Sequence, residues 1–185
     1  MTDERDWSRT QFEACDECGF DPSKVAPADL PDAIRGLVRR YRAPLTRFLP
    51  GEVPDVVVRT RPSPDTWSAL EYACHVRDVL RVFDGRVSRV LAEERPDLGW
   101  WDHEAAVDDE AYNAQAPVEV VEELAHRADA FAETLAAVPE DGWDRAGTRR
   151  NGELFTVVGL GRFALHEGNH HLLDVGRSLR TARGR

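Results

Sequence analysis

Four segments of the chain have apolar residues at the three- and four-residue spacing of an amphipathic helix. Each such helix has one apolar stripe, which must be buried against other helices. The segments begin near Pro31, Ser68, Pro117 and Thr156, and prolines or glycines separate them. Because strand patterns are scarce and no repeat is visible, the sequence predicts an all-α fold, a four-helix bundle.

Local signals fix parts of this pattern. Ser68-x-x-Glu71 is typical of a capping box, in which each residue satisfies a free backbone group of the other at a helix start. Residues 50–65 contain four prolines and the run Val56–Val58, and we expect a loop or a short extended piece there. Residues 95–116 form a long connection that we expect to fold over the bundle end.

The predicted domain organisation has three parts. Residues 1–30 form an N-terminal arm that contains Cys15-x-x-Cys18, residues 31–180 form the bundle, and residues 181–185 form a basic tail. A pair of cysteines alone supplies only two of the four ligands of a structural zinc, although a dimer could bring two pairs together. A redox role is the alternative, but no thioredoxin-like context surrounds the pair.

Composition excludes several classes of partner. The chain has 34 acids and 24 bases, for a net charge of −10. This charge argues against nucleic-acid binding and against docking on anionic membranes. No apolar run approaches the roughly 20 residues needed to span a bilayer, and Met1–Trp7 lacks a signal-peptide core. We therefore expect a cytoplasmic protein with free thiols.

Three histidines form the strongest candidate site. His166 and His170 are four residues apart on the last helix, so both lie on one face and can contact one metal ion. His75 is about 7 residues into the second helix and His166 about 10 into the fourth, so in an up-down bundle with these helices parallel they differ in level by about one turn. Burying three imidazoles without a shared partner would cost several kcal/mol. The sequence thus predicts a divalent metal bound by His75, His166 and His170.

Three protein ligands leave one coordination position open, as in catalytic zinc sites. Three imidazoles suit zinc, which we expect, but also nickel, copper or iron. His166–His170 also matches the H-E-x-x-H motif of metalloproteases, with Glu167 as general base. We disfavour that interpretation, because such enzymes usually take a third ligand downstream, where Asp174 is the only acid and no further ligand histidine follows the motif.

The residues near these histidines also allow predictions. His171 should point about 100° away from His170 and is not expected to be a ligand. Asp78 and Asp174 are spaced to contact the ligand histidines as supporting carboxylates, or else to be ordinary solvated acids. His103 lies in the long connection, which can cover the site.

The combination Trp67-Ser68-x-x-Glu71-x-x-x-His75 with His166-x-x-x-His170 resembles the DinB/YfiT-like superfamily. The resemblance covers about residues 31–180. It implies a four-helix bundle, often a homodimer, that binds zinc or nickel through three histidines. The matching positions here are again His75, His166 and His170, whereas the Cys15-x-x-Cys18 arm is not part of the family pattern.

The resemblance also implies an activity. Relatives include S-transferases and an isomerase that use mycothiol or bacillithiol, and the arginine-rich composition, with Lys24 as the only lysine, favours mycothiol. We therefore expect a metal-activated small-molecule thiol to attack an electrophile in a pocket lined near Trp100, Trp101 and Tyr112. No general acid or base is identified. The alternatives are a non-catalytic metal-binding stress-response protein and, less favoured, the metallopeptidase.

Overall fold

The structure is a computed structural model that describes residues 7–149 and 152–184. The described residues form six α-helices and one β-hairpin: α1 (Leu30–Thr46), α2 (Pro54–Arg59), α3 (Ala69–Ala92), α4 (His103–Asp109), α5 (Pro117–Ala136), β1 (Ala146–Arg149), β2 (Glu153–Thr156) and α6 (Val157–Ala182). The four long helices confirm the predicted bundle. Residues 1–6 of the predicted arm and Arg185 of the predicted tail lie outside the described residues.

The long helices are arranged in a square in which each packs against two others. Helix α1 contacts α5 and α6, and α3 also contacts α5 and α6, so α1 and α3 lie diagonally across the core. None of the helices in the described part of the chain is long and apolar enough to cross a membrane.

Helices α3 and α6 run antiparallel. The Ser178 hydroxyl near the end of α6 donates to the carbonyl of Trp67 at the start of α3 (2.9 Å). Farther along, Phe83 stacks on Phe163 with ring centroids 5.4 Å apart. The expectation that the second and fourth helices run parallel, as in an up-down bundle, is therefore wrong.

The reason is that α3 and α5 run parallel instead. Near their N-terminal ends Arg77 donates to Glu123 (2.8 Å), and near the other end of α3 Arg145, which follows α5, donates to the carbonyl of Val90 (3.0 Å). A parallel pair requires a connection that returns along the length of the bundle. Residues 93–116 make that return, which explains why this connection is long.

Three elements were not expected from the sequence: α2, the short helix α4 within the long connection, and the β1–β2 hairpin. Residues 50–65 contain the helix α2, where a loop or extended piece was predicted. Pro54 occupies a first-turn position and Val57 and Val58 are buried, so packing decides the conformation. The hairpin β1–β2 replaces the predicted loop before α6, and Leu98 joins it through its N–H, which donates to Thr148 (2.7 Å).

The start of α3 explains the Trp-Ser-x-x-Glu motif. The N–H of Glu71 donates to the Ser68 hydroxyl (3.2 Å), and the N–H of Ser68 donates to the Glu71 carboxylate (2.7 Å), so the predicted capping box is confirmed. Arg61 also donates to Glu71 through Nε (2.9 Å), at a carboxylate that is almost fully buried. The motif therefore fixes the residue before the cap, Trp67, at one end of the bundle.

Helices α1 and α6 approach each other closely at Gly168. A Cβ atom at this position would lie 2.1 Å from Cδ2 of Leu37, so the glycine leaves room for α1. The Tyr41 hydroxyl donates to the Gly168 carbonyl (2.6 Å). The middle of α6 is therefore held against the core by both packing and a buried hydrogen bond.

A buried charge network links α3 to the long connection. Asp78 accepts hydrogen bonds from Arg77 (2.9 Å) and from the Tyr112 hydroxyl (2.6 Å), and all three side chains are buried. Burial alone would raise the pKa of Asp78, but these two hydrogen bonds outweigh it, so the pKa lies below its usual value. The network pairs the charge of Asp78 within the core, where an unpaired charge would be costly.

We expect Asp78→Asn to lower the free energy of unfolding by about 3 kcal/mol at neutral pH, because it breaks a buried ion pair. The stabilisation by Asp78 is complete above the unfolded-state pKa of about 3.9 and is lost as the pH falls through the lower folded-state pKa. The difference between wild type and variant, measured by urea unfolding, should therefore shrink in acid.

The matched control is Glu122→Gln, the same chemical change at an exposed position of α5. It should alter the free energy of unfolding by no more than about 0.5 kcal/mol. Equal effects of the two variants at neutral pH would contradict the role given to Asp78.

Candidate metal centre

Helix α6 has two pairs of potential ligands at a spacing of four residues. One pair is His166 and His170, and the other is Glu167 and His171. The two pairs differ by one residue, which corresponds to a rotation of about 100° around the helix axis. They therefore lie on adjacent faces of α6 and meet different neighbours.

The second pair meets α3. Nε2 of His75 lies 3.4 Å from Oε2 of Glu167, and Nε2 of His171 lies 3.6 Å from the same oxygen. One ligand atom from each of the three side chains lies within 4.8 Å of the other two. We call His75, Glu167 and His171 the His75 cluster.

The far side of the His171 ring contacts a carboxylate. Nδ1 of His171 lies 3.1 Å from Oδ2 of Asp174, one helical turn away. Metal-binding histidines typically donate their second ring N–H to such a group, which fixes the ring and leaves Nε2 to bind the ion. Asp174, which was predicted to support His170, thus contacts His171 of this cluster, whereas Asp78 is bound to Arg77 and Tyr112 instead.

The charges in the cluster are strongly coupled. Burial alone would raise the pKa of Glu167, but hydrogen bonds from His166, His171 and His75 outweigh it and hold the pKa well below its usual range. Burial would lower the pKa of His171, but Asp174 and Glu167 outweigh it and raise the pKa to about 9. The folded chain thus favours a charged, half-buried carboxylate at Glu167 with a protonated His171 beside it.

In His75 the effect of burial prevails over that of Glu167 and lowers the pKa to about 4. A neutral imidazole is the form that binds a metal ion. Nδ1 of His75 is buried and has no hydrogen-bond partner among the described residues, while Nε2 faces Glu167. The donor set consists of two imidazoles and one carboxylate from one buried and two half-buried side chains, and it fits a divalent metal such as zinc.

Aromatic side chains surround the cluster. Trp101 stacks on His75 at 5.5 Å with the rings 8° from parallel, and Trp67 lies 5.3 Å from the same ring. Tyr72 stacks on His171 at 5.2 Å, and His103 lies 5.6 Å from His75. The long connection thus contacts the site through Trp101 and His103.

Trp100 and Tyr112, the other two residues predicted to line the pocket, are placed differently from Trp101. Trp100 is 47% exposed, and its ring contacts that of His103. Tyr112 is fully buried, and its hydroxyl donates to Asp78. The prediction that Tyr112 lines the pocket is therefore wrong.

The first pair on α6 meets the N-terminal arm. Sγ of Cys15 lies 3.8 Å from Nδ1 of His170, and the rings of His166 and His170 are 5.3 Å apart. One ligand atom from each of four side chains lies within 4.8 Å of the others. We call this set the cysteine–histidine cluster; its members are Cys15, Cys18, His166 and His170.

The three predicted ligands are thus divided. His166 and His170 lie together in the cysteine–histidine cluster, and His75 lies with Glu167 and His171. Sequence reasoning omitted His171 because it faces away from His170. The signal that could have found it is the spacing of four between Glu167 and His171, which equals that of the histidine pair.

Comparison with known proteins gives a family. Residues 40–175 match the DinB superfamily. The fold is similar to that of YfiT from Bacillus subtilis, described as a probable metal-dependent hydrolase with an unusual four-helix bundle topology. The TM-score is 0.74 at 16% identity, over 85% of this chain and 87% of that one. A comparison with curated protein sequences finds no match. The matched range spans more than half of this chain, so the chain belongs to the DinB superfamily.

Proposed function

We propose that the chain is a metal-dependent enzyme in which one divalent ion, zinc or else nickel, binds His75, Glu167 and His171 and activates a small-molecule thiol. The observation that supports this ligand set is the convergence of three donor atoms within 4.8 Å beneath an aromatic cover. Three protein ligands leave a coordination position for a reacting group. The set His75, His166 and His170 is the alternative.

When bound, the ion would supply Lewis acidity that lowers the pKa of a coordinated thiol or water. The chain's own residues prepare the site for it. Asp174 orients the His171 ring through Nδ1, and burial keeps His75 neutral. Trp67 and Trp101 limit the access of water and offer flat apolar surfaces to an electrophile.

In the proposed reaction the thiol loses its proton, its sulfur forms a bond to a carbon of the electrophile, and the leaving group departs with its electron pair. In an isomerisation or addition, no group would leave. Mycothiol is the proposed co-substrate. We also propose that the chain forms a homodimer and lies in the cytoplasm. These proposals rest on the family resemblance and on the composition. The partners are therefore a small thiol and an electrophile, without nucleic acid or membrane.

Hydrolysis is a second candidate. Two histidines and one glutamate are also the ligands of zinc hydrolases, and the similar structure of YfiT is described as a probable metal-dependent hydrolase. Peptide hydrolysis through H-E-x-x-H has less support, because Glu167 faces His75 and His171, whereas His166 and His170 face two cysteines.

We expect His171→Ala to abolish the activity and to remove one bound metal ion per chain, because it deletes a ligand of the His75 cluster. The matched control is His126→Ala, which changes an exposed histidine of α5. Metal content by mass spectrometry and activity of the metal-loaded chain are the measurements. Unchanged metal binding in His171→Ala, with loss of activity in His166→Ala, would favour the three-histidine set instead.

We expect the metal-loaded chain to consume mycothiol and a generic electrophile in equal amounts, faster than the His75→Ala variant.

Two further assays test the alternatives. Hydrolysis of a panel of esters without thiol tests the hydrolase, and casein cleavage that is lost in Glu167→Gln tests the peptidase. Turnover of esters but not of thiol and electrophile would replace the proposed transferase by the hydrolase. No turnover of any substrate would favour a non-catalytic metal-binding protein.

A further inference from the structure

The cysteine–histidine cluster is not used by the proposed function. Cys15 and Cys18 lie outside the residues that match the DinB superfamily, in an arm that packs against α6. Arg162 of α6 donates to the carbonyl of Val25 (2.8 Å), and the ring of Phe20 lies 5.9 Å from that of His166. The arm therefore reaches the face of α6 that the His75 cluster leaves free.

Backbone hydrogen bonds fix the conformation of the loop that contains the two cysteines. The N–H of Gly19 donates to the Cys15 carbonyl (2.9 Å), and the N–H of Cys15 donates to the Phe20 carbonyl (2.9 Å). Gly19 has φ of 71°, a left-handed conformation that favours glycine. Backbone groups of Glu17 and Cys18 hydrogen-bond the Cys15 thiol, and the backbone of Phe20 that of Cys18.

The histidines meet this loop with suitable geometry. Nδ1 of His170 faces Sγ of Cys15, while its Nε2 lies 3.9 Å from carboxylates of Glu17 and Asp174. A carboxylate behind the ring is the usual support of a metal-bound histidine. Cys15, His166 and His170 are buried. Cys18 is half-buried, so three of the four side chains are shielded from solvent and the fourth is partly shielded.

We propose a second metal site, a structural zinc ion that fastens the N-terminal arm to α6 through Cys15, Cys18, His166 and His170. The ligand atoms of a tetrahedral zinc ion lie about 3.3–3.8 Å apart, given bond lengths of about 2.0–2.3 Å. The four atoms here lie within 4.8 Å of one another, so a small contraction completes the tetrahedron. Two thiolates and two imidazoles select zinc over magnesium or calcium.

This site differs in purpose from the His75 cluster. Four protein ligands fill the tetrahedron and leave no position for a substrate, as in structural zinc sites. The ion would tie a segment near residue 15 to one near residue 170. It would also fix the rotation of α6 about its axis, and with it the direction of Glu167 and His171.

The test uses the full chain stripped of metal by a chelator and reloaded with cobalt. Cobalt bound to thiolates gives an intense charge-transfer absorption that histidine and carboxylate ligands do not give. We expect the band in wild type and in His171→Ala, and its loss in the double variant Cys15→Ser with Cys18→Ser. The matched control Cys74→Ser should keep it, because Cys74 is buried beside Tyr112, away from the cluster.

Zinc content and proteolysis give independent readouts. The double cysteine variant should bind one zinc ion fewer per chain than wild type, while His171→Ala loses the other ion. Zinc should slow trypsin cleavage in the arm after the exposed Lys24 in wild type but not in the double variant. Absence of the cobalt band from wild type, which needs no variant to fold, would overturn the proposal. Full zinc content in a folded double variant would also overturn it.

Discussion

The rotation of about 100° per residue along α6 determines how the candidate metal ligands are distributed in this protein. His166 and His170 point to one side of the helix, and Glu167 and His171 point to the next. One side meets the N-terminal arm and the other meets α3. Each pair gains the rest of its candidate ligand set from a different neighbour, so six consecutive residues of one helix, from His166 to His171, organise both candidate sites.

The direction of the helices supplies the second constraint. Because α3 and α6 are antiparallel, residues near the start of α3 reach the middle of α6, where His75 meets Glu167 and His171. Because α3 and α5 are parallel, a long connection must return along the bundle. That connection provides Trp101 and His103, which contact the His75 ring. The bundle topology therefore creates the aromatic cover as well as the site.

The sequence was sufficient to predict the long helices, because each buries apolar residues that recur with helical spacing. It predicted α3 from the capping box of Ser68 and Glu71, and the observed helix begins at the next residue. It did not predict the direction of packing, since apolar stripes do not specify parallel or antiparallel neighbours. The α2 helix was not predicted, because six residues are too few to show a helical period, and the surrounding prolines favoured a loop.

The same limit applies to the sites. The histidine pair on α6 was visible as a spacing, but the choice of its neighbours depends on which face meets which element. Cys15 and Cys18 are only two of the four ligands of the proposed zinc site, and the other two lie about 150 residues away in the sequence. Only the fold brings the halves together.

The buried charges give a physical reason for ions in this region. Glu167 is half-buried among three histidines, which hold its pKa well below the usual range, and the pKa of His171 is raised to about 9, so that a protonated His171 balances the carboxylate. A divalent cation can take over that balance while His171 becomes a neutral ligand, and proton release then accompanies binding. Asp174 lies beside both His170 and His171, at 3.9 and 3.1 Å, and so supports one ring in each cluster. Through this shared carboxylate and the rigid helix between them, occupation of the arm's site would affect the orientation of the ligands in the other.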